Sequence, residues 1–304
     1  MAIAAVVALA MVLPIGHLIV RASEASDPIG LLTSERVLRF LASTLRLAFA
    51  VTTFAVVAGV AVAWLIERSD LPGRRVFSVL AVLPLVVPTY VGALALLAAF
   101  GPAGLAVEVP GLIGFWGAMI ALGLSTFPYV VLPVRASLSL VDPSLEDAAR
   151  ALGDSRMRAF RRALLPQLRA AIAAGALLVF LYVLSDFGAV AIMRYETLTL
   201  GIFLEYRSSF DRAPAAVLGV LLVALTGLAI TLERWLRGRA VARAAAASVA
   251  RPASTHHLGR WRWPAFALVA SLVIGGAGVP ALVLGYWALR GASTSDAADL
   301  VRAL

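Results

Sequence analysis

Seven apolar runs, most of them close to 20 residues, follow one another along the chain and narrow its fold more than any motif does. They fall at 2–20, 42–65, 76–100, 112–134, 170–192, 214–234 and 264–289. A helix of about 20 residues crosses the roughly 30 Å of hydrocarbon in a bilayer, and a helix satisfies its own backbone hydrogen bonds inside lipid. Composition agrees: 62% of the 304 residues are hydrophobic and 14% are charged, against about half and about a quarter in soluble domains. These runs predict an all-α, polytopic transmembrane bundle with about seven spans.

The first run has two readings. "ASEAS" at 22–26 supplies small residues of the kind a signal peptidase cuts, but no basic stretch precedes the run. It is taken as a retained helix, with a cleaved leader as the alternative; the bare start "MAIAAVV" also fits a chain whose short basic leader is missing.

What the chain lacks removes whole classes of chemistry. There is no cysteine, hence no disulfide, iron–sulfur cluster or thiolate zinc site. Histidine is limited to His17, His256 and His257, too few and too scattered for a metal or catalytic cluster. All 26 basic residues are arginine. A phosphate-binding Walker A loop needs its lysine on the nucleotide, so the chain cannot itself be a P-loop ATPase. The net charge of +9 does not call for a nucleic-acid partner, because the arginines gather between the apolar runs, where basic residues set topology.

Their placement orients the chain. With the first helix running outward, Arg68, Arg74, Arg75, the cluster from Arg135 to Arg169 and the cluster from Arg234 to Arg262 face the cytoplasm. Most of the arginines left outside stand near acids such as Glu24, Glu196 and Asp211. The expected location is a bacterial inner membrane, multi-pass, with a cytoplasmic N-terminus. Residues 1–236 then form one six-span unit, and the Arg/Ala/Ser-rich stretch 237–262 is a cytoplasmic linker. Beyond it, "VPALVLGYWALRGAS" echoes "LPIGHLIVRASEAS", and the final "DLVRAL" echoes "RVLRFL" at 36–41. Residues 263–304 are therefore expected to open a second, truncated unit.

The polar stretch 142–166 stands apart in so greasy a chain. Asp142 can cap a helix that Pro143 begins. Leu145, Ala148, Ala149 and Leu152 share one face, and Glu146 can pair with Arg150 on another. Gly153 suits a left-handed helix end. A second pattern places Met157, Phe160 and Leu164 opposite Arg158, Arg161 and Arg162, and Pro166 is expected to break the run. The stretch reads as two short helices bent at a glycine.

This stretch resembles the EAA loop of binding-protein-dependent ABC importer permeases. Asp147-Ala148-Ala149, Gly153 and Leu164-Leu165-Pro166 stand at that loop's spacing, with Asp147 in place of the usual Glu and Glu146 beside it. The resemblance implies a permease-type bundle in which this loop is a cytoplasmic coupling helix, seated in a groove of a separate ATP-hydrolysing subunit. Its ATPase-coupling residues would be Glu146, Asp147, Ala148, Ala149, Gly153, Phe160 and Pro166. It further implies two such ATP-binding subunits carrying ATP and Mg, an external substrate-binding protein, and a second permease half in the same or another chain. This chain itself would hold no cofactor or metal and would be no enzyme.

"PLVVPTYVGALAL" at 84–96 and the segment from Leu184 to Arg212 resemble iron(III) importer permeases. Thiamine, phosphonate, sulfate or polyamine permeases are the alternatives, and an ion-coupled secondary transporter is the rival from another class. Tyr90, Ser125, Thr126, Tyr129, Ser185 and Asp186 are candidates for the translocation pathway. Asp186 has two readings, a polar wall of the path or a buried acid bonded to neighbouring helices. Tyr and Ser are also ordinary glue between membrane helices. The 194–211 stretch is expected as an outer loop, and Pro84, Pro88, Pro128 and Pro133 as kinks.

Overall fold

The computed structural model describes residues 2–102, 104–141, 151, 153, 155, 158, 160–208, 211–238 and 256–294. In chain order the helices are α1 (Ala2–Ser23), α2 (Pro28–Thr33), α3 (Glu35–Arg68), α4 (Arg74–Leu80), α5 (Thr89–Phe100), α6 (Phe115–Thr126) and α7 (Pro128–Leu140). They continue as α8 (Leu165–Ser185), α9 (Gly188–Ile192), α10 (Leu198–Ser208), α11 (Ala213–Gly238), α12 (Arg262–Val273) and α13 (Val279–Thr294). Among the described residues the extended pairing is a lone parallel bridge between Ser69 and His256.

The centre is a trio, α3, α7 and α8, each packed against the other two. Lipid gives no hydrophobic drive for helices to associate, so close packing of small residues does much of the work. Val130 on α7 shows how. A Cβ added to Gly59 of α3 would come 2.6 Å from the Val130 side chain, and one added to Gly175 of α8 would come 2.8 Å from its backbone. Glycine on both sides lets three helices close around one fully buried valine. Around the trio, α6 lies on α3, α11 on α8 and α1 along α11, while α13 packs on α5 and α12 on α4.

Five helical stretches among the described residues are long and apolar enough to cross a membrane, and a bent pair makes a sixth. The apolar runs all lie in helices, but two are not single straight spans. The run at 76–100 is broken between α4 and α5 by a bend of 98°. A proline disfavours the helical region for the residue before it, and Val87, ahead of Pro88, is extended at φ −86°, ψ 116°. The run at 170–192 stops at Ser185. Asp186 is extended, and α9 restarts the helix as a separate short turn. By contrast, Pro128 and Pro133 sit within the 26-residue stretch Phe115–Leu140, where Pro128 occupies a first-turn position that loses no helical bond.

Three further expectations are corrected. The second span is longer than 42–65: Ser34 caps it, its Oγ accepting from the Val37 amide at 3.4 Å. At 1.5 Å per residue α3 is about 50 Å long, so it projects beyond the hydrocarbon. The stretch 194–211 contains helix α10, packed on α3 and α11. Pro166 does not break the chain, because a π-helical turn, Phe160–Leu164, runs directly into α8 with Pro166 in its first turn.

Candidate functional site

One end of the bundle carries Arg68, Arg135, Arg161 and Arg262 and is here called the basic end. Segment 142–159 enters from α7 and leaves into the π turn before α8, so both of its roots lie here. Arg68, the last residue of α3, is only 2% exposed. Its Nη2 donates to the carbonyls of Leu138 and Val141, each at 2.8 Å. The final carbonyls of a helix have no partner within it and carry partial negative charge, so a buried guanidinium there both satisfies and fixes the end of α7. One turn back, Arg135 donates Nε to Glu67 at 2.8 Å and Nη1 to the Ser78 carbonyl at 2.8 Å, joining α7 to α3 and α4.

The second root is held by an aromatic contact. Phe160 meets Trp64 of α3 edge-on, with ring centroids 6.5 Å apart, a favoured aromatic geometry. On another side, Trp64 stacks with His256 at 5.8 Å. The last turn of α3 therefore grips where segment 142–159 leaves α7 and where it rejoins the bundle. Of the expected coupling residues, Gly153 has φ +92°, the left-handed region. Phe160 lies half-buried on Trp64, and Pro166 is exposed in the first turn of α8. Glu146, Asp147, Ala148 and Ala149 lie outside the described residues.

The pathway candidates fall in two groups, and Asp186, Tyr90 and Ser185 lie at the opposite end. Asp186, 8% exposed, bridges α8, α9 and α5. Its Oδ2 accepts from the Thr89 hydroxyl at 2.6 Å and its Oδ1 from the Ala189 amide at 2.9 Å. Its carbonyl accepts from Thr199 at 2.8 Å. Tyr90, half-exposed, packs so closely on Gly188 that an added Cβ would lie 2.7 Å from its own Cβ. Ser185 is exposed beside this junction and returns its hydroxyl to the Tyr182 carbonyl at 2.9 Å. Tyr129 belongs elsewhere, tilted against Tyr182 at 5.7 Å. Ser125 and Thr126 bond back to carbonyls of their own helix, at 2.9 and 2.6 Å. At this end Arg36 pairs with Glu205 at 2.8 Å, tying α3 to α10.

Arg68, Trp64 and Thr89 were not among the residues expected from the sequence. Thr89 directly follows Pro88, a position that starts a helix and leaves a hydroxyl at its mouth, which is a usable signal. Arg68 stood in the sequence only as one topology-setting arginine among many.

Residues 55–241 match the family described as binding-protein-dependent transport system inner membrane component. The chain belongs to that family. As an inner-membrane permease it is 35% identical to an Fe(3+)-transport system permease protein, FbpB 2, of Haemophilus influenzae, over 96% of this chain and 57% of that protein. The permease thus spans little more than half the length of that relative. It is 35% identical over 68% of its length to a probable molybdenum ABC transporter permease of Haloferax volcanii, covering 78% of that protein. It is 30% identical over 72% of its length to the sulfate permease CysT of Salmonella typhimurium, covering 84% of that protein. Among solved structures, a bacterial alginate ABC transporter matches with a TM-score of 0.63 at 14% identity, over 78% of this chain and 93% of that one. The MetNI methionine transporter matches at 0.56 and 20% identity, over 68% and 99%. These structural likenesses establish the fold of the permease: an all-α membrane bundle of the ABC importer type.

Proposed function

We propose that this permease is the membrane-spanning part of an ATP-driven, binding-protein-dependent importer of iron(III). Segment 142–166 receives the movement of a separate ATP-hydrolysing subunit, and the basic end faces the cytoplasm. The observation that carries this reading is the grip of α3 on both roots of the segment: a push on 142–159 reaches the central helix trio through Arg68 and Trp64 without passing through a slack loop. ATP and Mg belong to the partner subunits, of which two are expected; Glu146, Asp147, Ala148 and Ala149 are the residues assigned to contact with them.

The chain's own part in transport is mechanical. A load at the basic end displaces α7 and α8 together, because Gly175 of α8 closes on Val130 of α7. The bent α4–α5 pair meets the trio where α4 packs on α3. The Thr89–Asp186 bond joins it to α8 and α9 at the opposite end, where we place the pathway wall of Tyr90, Ser185 and Asp186. A loaded binding protein delivers substrate at that end. A site that conducts must bind weakly enough to release, so dense metal ligation is not required of these residues. A second permease unit, in the same polypeptide or another, completes the path; residues 1–236 form the first unit, 237–262 the connection and 263–304 the first helix of a second, truncated unit.

Iron(III) as cargo rests on the 35% identity to an Fe(3+) permease along nearly the whole chain. Molybdenum and sulfate relatives favour an oxyanion as the second reading. Uptake of radiolabelled iron(III) by cells carrying the complete transporter tests this. Accumulation that excess sulfate, molybdate or thiamine does not reduce is the expected result; uptake of labelled sulfate or molybdate in its place would overturn the cargo assignment.

A further inference from the structure

The end of the expected linker is not loose. His256 donates its amide to the Arg68 carbonyl at 2.8 Å, and its own carbonyl accepts from the Asp70 amide at 3.0 Å. Two residues on, the Leu258 amide donates to Asp70 Oδ1 at 2.8 Å, while the His257 ring lies 3.2 Å from Oδ2. Asp70 thus uses both carboxylate oxygens on residues 187 and 188 positions away in the chain. The Leu258 bond, more than the imidazole, holds its carboxyl below the usual carboxylate range. Downstream, Phe266 of α12 packs edge-on against the buried Phe77 of α4 at 5.4 Å.

These contacts converge on the seat of segment 142–159. Arg68 gives its side chain to the end of α7 and its carbonyl to His256. Trp64 meets Phe160 edge-on and stacks with His256. The chain beyond the linker is therefore fastened to the two residues of α3 that hold the roots of 142–159.

We propose that His256–Leu258 is a strap that fastens α12 to the coupling seat, so that a load on 142–159 is delivered across the linker as well as to α7 and α8. Asp70 is its positioning residue. The strap rests on the reading of 142–166 as the coupling segment. Two backbone bonds and two to the Asp70 carboxylate make it a fixed link, since four bonds on three consecutive residues resist sliding where a single side-chain contact would not. Through α4, which α12 also grips, the strap has a short route to the bend at Pro88.

The test uses the complete transporter in membranes. Asp70→Ala removes the acceptor for Leu258, and Asp70→Asn keeps a carbonyl oxygen in its place. The expected result is that Asp70→Ala lowers substrate moved per ATP hydrolysed by about threefold or more, with normal amounts of assembled transporter, while Asp70→Asn stays near wild type. Because the chain has no cysteine, a Ser69→Cys, His256→Cys pair in the Asp70→Ala background can replace the strap by a disulfide, detected after a protease site is placed in 240–250. Oxidation should restore coupling and reduction should remove it. An Asp70→Ala protein with unchanged coupling, or a loss that neither asparagine nor the disulfide repairs, overturns the strap. If Ala149→Arg leaves uptake intact, the coupling reading itself falls, whatever Asp70 does; if Ala149→Arg abolishes uptake and Asp70→Ala does not weaken coupling, the strap alone falls.

Discussion

The two ends of the bundle are held in different ways. At the basic end, α3, α4, α7, the π turn and the strap meet through a buried arginine, a second arginine with two partners, a three-ring aromatic stack and a short backbone ladder. At the opposite end, α5 is joined to α8 and α9 by one side-chain hydrogen bond between Thr89 and Asp186, with Tyr90 packed on Gly188 beside it. Several bonds that must fail together make a rigid joint. The junction beside the 98° bend joins α5 to α8 and α9 through one side-chain hydrogen bond, worth about 1 kcal/mol, and the Tyr90–Gly188 packing. The contrast fits a machine that takes in force at one end and changes shape at the other.

The largest expected effect breaks the stiff end from outside. Ala149→Arg places a long cation where a partner must approach closely, and uptake should fall by about 100-fold while insertion is unchanged; uptake assays with quantified membrane protein read both. Next is Arg68→Ala, which strands two helix-end carbonyls in a buried site at a cost of about 3 kcal/mol. Thermal stability in detergent should drop and coupling should fall about tenfold.

The soft end should respond more gently. Asp186→Ala releases the Thr89 hydroxyl and the Ala189 amide together, and uptake should change by about threefold. Asp186→Asn, which keeps an acceptor, should lie between the two. If Asp186→Ala matched Arg68→Ala in lost stability, the contrast between the ends would be gone.

The smallest effect sharpens the comparison by its absence. The Asp70 carboxyl is held low by the Leu258 amide first, and by His257 after it. A carboxyl lowered by folding stabilises above its ordinary value, and that contribution fades only as pH falls through the lowered one. A spin-label distance between positions 75 and 261 should therefore hold steady from about pH 8 to about pH 5.

The spans were legible because their signal is local, the length of each apolar run. Pro88 announced its break through a steric rule that acts on one neighbour. Arg68 was hidden because its partners lie 70 and 73 residues on, and nothing near it distinguishes a buried arginine from a topology-setting one. Asp186 raised a question the sequence could pose but not answer, since Thr89 is 97 residues away. The strap lies inside the stretch that composition marks as linker, because its partners, Arg68 and Asp70, stand more than 180 residues before it and two of its bonds are backbone to backbone, which composition does not report.

The account stands on force entering at the basic end from the cytoplasm. The measurement that tests it most directly places a single cysteine at exposed Arg161 of this cysteine-free chain and adds a membrane-impermeant maleimide to intact spheroplasts and to inverted vesicles. Labelling in inverted vesicles alone is the predicted result. Labelling in intact spheroplasts would put the coupling segment on the side that holds no ATP and would contradict the account.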